Sequence, residues 1–122
     1  MDLDDALAYS HYARRTLERH PALRRELEAT LDAPFDWPAA RAAVAGAAAG
    51  PEAAASLEAA LRALRTRVMV HTLARDLTGR ASLEEVCGAV TTLAEVAIDA
   101  AVGAARRELV ATHGEPVGAE SG

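Results

Sequence analysis

Between Leu61 and Val86 the chain reads LRALRTRVMVHTLARDLTGRASLEEV. Leu57, Leu61, Leu64 and Val68 recur at intervals of four, three and four, which is the period of one helix face and not the alternation of a half-buried strand. Met69, Leu73 and Leu77 continue the stripe on a slightly rotated line. Gly79 is placed to end this helix, and Ser82 with Glu85 three residues later makes a capping-box start for another. The spacing predicts one long helix over about 52–78 and a second over 82–113, in which Leu83, Val86, Val90, Leu93, Ala97 and Ala101 keep the same intervals. A turn as short as Gly79–Ala81 folds two such helices back as an antiparallel hairpin. Gly88 and Gly103 lie inside the second helix, where each costs about 1 kcal/mol relative to alanine, and read as tolerated small residues.

Upstream, Asp4 and Asp5 open a helix carried by Leu7, Ala8, Tyr12 and Leu17 and expected to end near His20. Pro21 suits the first turn of a following helix, along which Leu23, Leu27 and Leu31 recur every four residues. Asp32 to Pro38 holds two prolines with Phe35 and Trp37, a connector that its aromatics pin to the core. Asp36 is the expected N-cap of a short alanine-rich helix ending by Gly50, and Gly50–Pro51 marks the next start. The expected fold is all-α: the long antiparallel hairpin with shorter N-terminal helices packed on it. The helical domain spans 1–114, and residues 115–122, without apolar periodicity, read as a linker.

The 122 residues suffice for one domain. With 51% hydrophobic and 25% charged residues the chain is globular, yet alanine dominates the apolar fraction and the core is thin. All 13 basic residues are arginine, and Lys, Asn and Gln are absent, a bias that points to a GC-rich bacterial genome and weakens any functional reading of the alanines. A net charge of −5 argues against a nucleic-acid partner, which calls for a basic surface. Cys87 is the lone cysteine, expected as a buried thiol in a cytoplasmic protein. Neither a signal peptide nor a membrane span is expected.

The search for chemistry ends without an active site. His11, His20, His71 and His113 are never three or four apart, so no two share a metal on one helical face. Ser10 and His11 are sequence neighbours, which cannot face each other as nucleophile and base. Asp4 with Asp5 and Glu84 with Glu85 sit at helix starts, where the macrodipole accounts for them. The glycines are isolated terminators or lie within helices, so no phosphate-cradling loop is formed. Catalytic, cofactor-binding and metal residues are therefore all expected to be absent from this chain. The unusual pattern is Arg62, Arg65, Arg67, His71 and Arg75, a basic run without an acid until Asp76. It is either a solvated helical face or a docking surface for an acidic partner or adjoining domain.

The Leu61–Val86 stretch resembles the N-terminal helical region of glutamine synthetase adenylyltransferases, in which the segment reads like LRxFRRRxMxRIAWRDL before a SLEEV-type helix start. Leu61, Arg62, Arg65, Arg67, Met69, Arg75, Asp76 and Leu77 match it position by position. YSHYARRTLERHPALRREL, Tyr9 to Leu27, is similar to the family's opening, and THGEP, Thr112 to Pro116, to its linker into the first nucleotidyltransferase domain. Leu64 stands where the family has Phe, Thr66 and His71 where it has Arg, and Ala74 where it has Trp. The resemblance implies an enzyme that uses ATP and Mg²⁺ to attach AMP to glutamine synthetase, and phosphate to remove it. Its nucleotide and metal elements belong to the next domain, so no catalytic residue carries over. The implied partners are that domain and glutamine synthetase. The competing expectation is a free-standing helical interaction module with an uncovered leucine face.

Overall fold

The computed structural model describes residues 2–114, which form six helices and, among them, no strand. In order these are α1 (Leu3–Leu7), α2 (His11–Arg19), α3 (Pro21–Thr30), α4 (Trp37–Ala48), α5 (Ala53–Leu77) and α6 (Leu83–His113). The all-α class, the α5–α6 hairpin and the packing of shorter helices on it match the expectation from the sequence. The linker reading of 115–122 lies outside the described residues.

Side-chain caps explain most of the boundaries. Asp2, Ser10, Asp36 and Ser82 each accept the backbone N–H three residues on, satisfying a donor that the first turn leaves free. Ser10 also explains a departure: the helix expected from Asp4 to His20 breaks in two, because its hydroxyl caps a new start at His11. The restart shifts the inward face to Ala13 and Leu17 and leaves Ala8 and Tyr12 outside. α5 begins at Ala53, two residues beyond Pro51, with no side-chain cap. At its other end the Arg80 N–H bonds back to the Arg75 carbonyl and the Gly79 N–H to that of Asp76. This double closure requires the left-handed backbone that Gly79 supplies at φ 75°.

α5 serves two cores. Its Val70 and Ala74 join Leu7, Ala13, Leu17, Leu27 and Leu31 from the N-terminal helices. Its Leu57, Leu64 and Val68 join Ala40 and Val44 of α4 with Ala89 and Val96 of α6, and Phe35 and Trp37 pack on this second cluster. Val68 and Val70 are the largest side chains buried without remainder, so both cores are thin. Because both sides of α5 are covered, burial extends to Val70, His71, Thr72, Ala74 and Arg75, while Met69, expected on the apolar stripe, is exposed.

The packing of α6 departs from the sequence reading. Its inward line runs Ala89, Leu93, Val96, Ala100 and Ala104, whereas Leu83, Val90 and Ala101 of the expected stripe are exposed. Cys87, expected buried, is exposed on the same side. The physical reason is that α6 is covered by α4 and α5 from one side only, and alanines, not the larger Leu83 and Val90, make the close approach. α6 is also long and apolar enough to cross a membrane by length and composition, with a mean hydropathy of 1.5 over 18 residues. That corrects the expectation that no stretch comes near such a span. Glu95 and Asp99 stand near its middle, and an aspartate there costs about 2.5 kcal/mol or more at a bilayer centre.

Candidate functional site

Three of the polar residues singled out in the sequence, Arg67, His71 and Arg75, converge where the end of α3, the Leu31–Asp36 connector, α5 and the start of α6 meet. Leu31 is buried in the N-terminal core and Phe35 packs on the other, so the connector straddles both. Arg67, His71 and Arg75 fall one turn apart on the side of α5 that faces it.

Arg75 is 4% exposed, and each of its guanidinium nitrogens donates a hydrogen bond. Nε donates to Glu85 Oε2 at 2.7 Å and Nη2 to Glu85 Oε1 at 2.9 Å, a two-pronged clamp across the hairpin turn. Nη1 donates to the Leu31 carbonyl at 2.8 Å and Nη2 also to that of Arg80 at 3.2 Å. One side chain therefore ties α5 to the end of α3, to the turn and to α6. The hydrogen bonds from Arg75, aided by its charge, hold the Glu85 carboxyl below the usual carboxylate range against the opposing effect of burial. The same bonds raise Arg75 further above its already high value. The capping box expected of Ser82 and Glu85 is thus half realised: the Ser82 hydroxyl accepts the Glu85 N–H, but the Glu85 carboxylate is given to Arg75.

One turn earlier, His71 is buried and its Nε2–H donates to the Thr30 carbonyl at 3.2 Å. Phe35 meets the imidazole edge to face at 5.5 Å and Trp37 at 4.9 Å between ring centroids. A turn earlier still, Arg67 lies 5.5 Å over the Phe35 ring and donates through Nε to Glu26 Oε1 at 2.8 Å. Arg80 reaches from the turn to Asp32 at 2.8 Å. Among the described residues no buried side-chain polar atom lacks a partner.

Of the basic run, then, Arg67, His71 and Arg75 are engaged within the chain. Arg62, Arg65 and Asp76 are exposed, and among the described residues Arg62 pairs only with Glu58 on its own helix. Sequence reasoning missed Glu26, Glu85 and the Thr30 and Leu31 carbonyls as the partners. The signal available was Phe35, whose place between two prolines marked the connector that α5 would have to meet.

Two clefts flank the Phe35–His71 contact. One, of about 260 Å³, lies towards α3 and is lined by Leu27, Thr30, Arg67 and Val70; the other, of about 240 Å³, lies towards α6 and is lined by Trp37, Thr72, Glu85 and Thr92. Both are smaller than the roughly 300–1,000 Å³ of typical small-molecule sites. Among the described residues no three His, Cys, Asp or Glu side chains stand close enough to hold a metal ion.

This arrangement defines an all-helical scaffold whose polar interior is spent on holding helices together. The sequence profile of the glutamate-ammonia ligase adenylyltransferase family matches residues 1–122, and the chain belongs to that family. It is 40% identical over 116 residues to the bifunctional glutamine synthetase adenylyltransferase/adenylyl-removing enzyme of Burkholderia mallei, covering 93% of this chain and 12% of that protein. The protein of the same description from Ralstonia nicotianae is 49% identical over 61 residues, 50% of this chain and 6% of its own length. The matched part is the N-terminal region of these larger relatives, of which the chain spans about an eighth or less. No solved structure matches the chain.

Proposed function

We propose that this chain is a non-catalytic helical region of an enzyme that adenylylates and deadenylylates glutamine synthetase, and that it buttresses the nucleotidyltransferase domain following it. The observation that carries the reading is the match of 93% of the chain to about an eighth of a bifunctional relative, within a family profile that matches residues 1–122. The interior supports it, because the arginines and histidine that looked available for chemistry are engaged as interhelical ties. In this reading ATP, Mg²⁺ and the transfer of AMP belong to the rest of the enzyme, in a bacterial cytoplasm where it controls nitrogen assimilation. Arg62 and Arg65 of the basic run, with Asp76 after it, are the residues still able to meet an adjoining domain or glutamine synthetase. Labelled-AMP transfer to glutamine synthetase tests it, with this chain, the relative lacking its matched region, and the two mixed. The expected result is no transfer by the chain alone and a gain on mixing. Transfer by the chain alone would overturn the assignment.

A further inference from the structure

The outer side of α6 has no use within the described fold. Leu83, Val90, Ile98, Val102 and Leu109 are 78, 49, 61, 62 and 60% exposed. With the exposed Cys87, Ala94 and Ala105 between them they follow at intervals of four, three, four, four, four, three and four. The result is one unbroken apolar strip along a helix about 45 Å long. It faces away from the Ala89–Val96 line that packs on α4 and α5. Contiguous apolar surface of this extent, beyond a few hundred Å², marks a docking site on a protein in water. Glu84, Glu95 and Asp99, all exposed, border one edge at helical spacing, with the exposed Arg106 following them towards the C-terminal end.

We infer that this strip is where the remainder of the adenylyltransferase polypeptide docks, through an apolar surface bordered by basic side chains. The inference rests on the buttress reading above and names the face that makes the contact. Two observations select this occupant. The relatives carry about seven eighths of their length outside the matched N-terminal region, and α6 matches the C-terminal end of that region, next to which their remaining length follows. The acidic edge also disfavours a second copy. An antiparallel pair centred on the strip sets like edges together, so Glu95 and Asp99 of one helix would meet the same residues of the other, with Arg106 beyond them. A parallel pair sets that edge against Ala97, Ala104 and Glu108, which offer no cation. Glu95 and Asp99 would likewise sit near the middle of any membrane span, which disfavours a lipid occupant.

Cys87 lies on the strip and is the only cysteine, so its thiol reports coverage. The test grafts this chain in place of the matched 116 residues of the Burkholderia mallei relative and follows maleimide modification of the Cys87 peptide by mass spectrometry. The 122-residue chain alone is the reference. Modification in the graft should be about tenfold slower or more, because a covered thiol reacts only in the fraction of time its cover opens. The double variant Ile98→Asp, Val102→Asp should restore the fast rate while far-ultraviolet circular dichroism stays unchanged. Fast modification in a graft that unfolds cooperatively and transfers AMP would overturn this face assignment and leave the buttress reading intact. Equal activity in the relative with and without its matched region would sink both. A Cys87 rate in the reference chain that falls with its concentration, alongside a dimer in sedimentation, would assign the strip to a second copy. Co-sedimentation of the reference chain with phosphatidylcholine vesicles would assign it to lipid.

Discussion

Arg75 and Glu85 face each other across the turn between the two long helices, with both guanidinium–carboxylate bonds under 3 Å. Arg75 is nearly inaccessible, whereas the Glu85 side chain keeps about a quarter of its surface in water. The pair does more than close the hairpin, because the guanidinium also spends donors on the Leu31 and Arg80 carbonyls. Burying an arginine is unfavourable unless every donor is met, so the same geometry that makes the charge tolerable fixes where α3 must end.

Removing the acid should therefore be expensive. Glu85→Gln leaves a buried cation with an uncharged acceptor, and a hydrogen bond to a charged group contributes about 1.5–3 kcal/mol. A loss of about 2 kcal/mol is expected, read as a lower urea midpoint at unchanged slope. Arg75→Ala should lose about 3 kcal/mol, since it also frees the buried Leu31 carbonyl and the partly buried one of Arg80. Losses below 0.5 kcal/mol in both variants would show that the clamp contributes nothing to stability.

The same pair sets a pH dependence. The folded Glu85 carboxyl sits below the usual carboxylate range because of Arg75. Its stabilisation is therefore fully present above the unfolded value of about 4.3 and is lost as the pH falls through the lower folded value. The stability gap between the parent chain and Glu85→Gln should be constant near neutrality and shrink below about pH 4.5. Urea titrations at a series of pH values measure it, and a gap that widens on acidification would contradict the sign.

Gly88 offers a substitution in the opposite direction. A Cβ built there meets nothing within 4 Å, and the residue lies inside α6. Gly88→Ala should stabilise by up to about 1 kcal/mol through helix propensity and a less flexible unfolded chain. A thermal midpoint that does not rise would mean that the unfolded chain already restricts this residue.

The helices were legible in the sequence because their signals are local. Period, caps at Asp36 and Ser82, and the stop at Gly79 act within a few residues, and α5 and α6 lie within two residues of their expected limits. What the sequence hid was long-range. Nothing near Arg75 distinguishes a solvated arginine from a buried one, since its partners come from Leu31, 44 positions away, and from a Glu85 that local rules assign to capping. The outward side of α6 was hidden for a related reason. Its two apolar lines are both helical in period, and only the neighbours decide that the alanine line packs while Leu83 and Val90 remain outside. The family resemblance was readable for the reason the site was not, because it rests on the order of residues and needs no contacts.

The two cores meet along α5. They share α5 but few side chains, and Phe35 is the aromatic that bridges the boundary. It packs with Trp37 on the α4–α6 side and touches His71 and Arg67, which bond to Thr30 and Glu26 of α3. Truncating a part-buried Phe costs roughly 3 kcal/mol at most here, since large aromatic deletions in full cores reach 3–5. The expected effect on cooperativity is larger than that figure suggests. Without the ring, the imidazole and guanidinium lose the surface that orders them, and the N-terminal helices are left with a core of small aliphatics. Trp37 is the sole tryptophan and packs on the α4–α6 core, so its fluorescence follows that half, whereas circular dichroism follows all the helices. The parent chain should unfold in urea with the two signals superimposed, as small single domains do. In Phe35→Ala the circular dichroism transition should begin at lower urea than the fluorescence transition. Phe35→Leu, which keeps an apolar side chain in the clasp, should bring the two curves closer together. Coincident transitions in Phe35→Ala, shifted together by the same amount, would show that α5 alone couples the halves and that the clasp contributes stability without cooperativity.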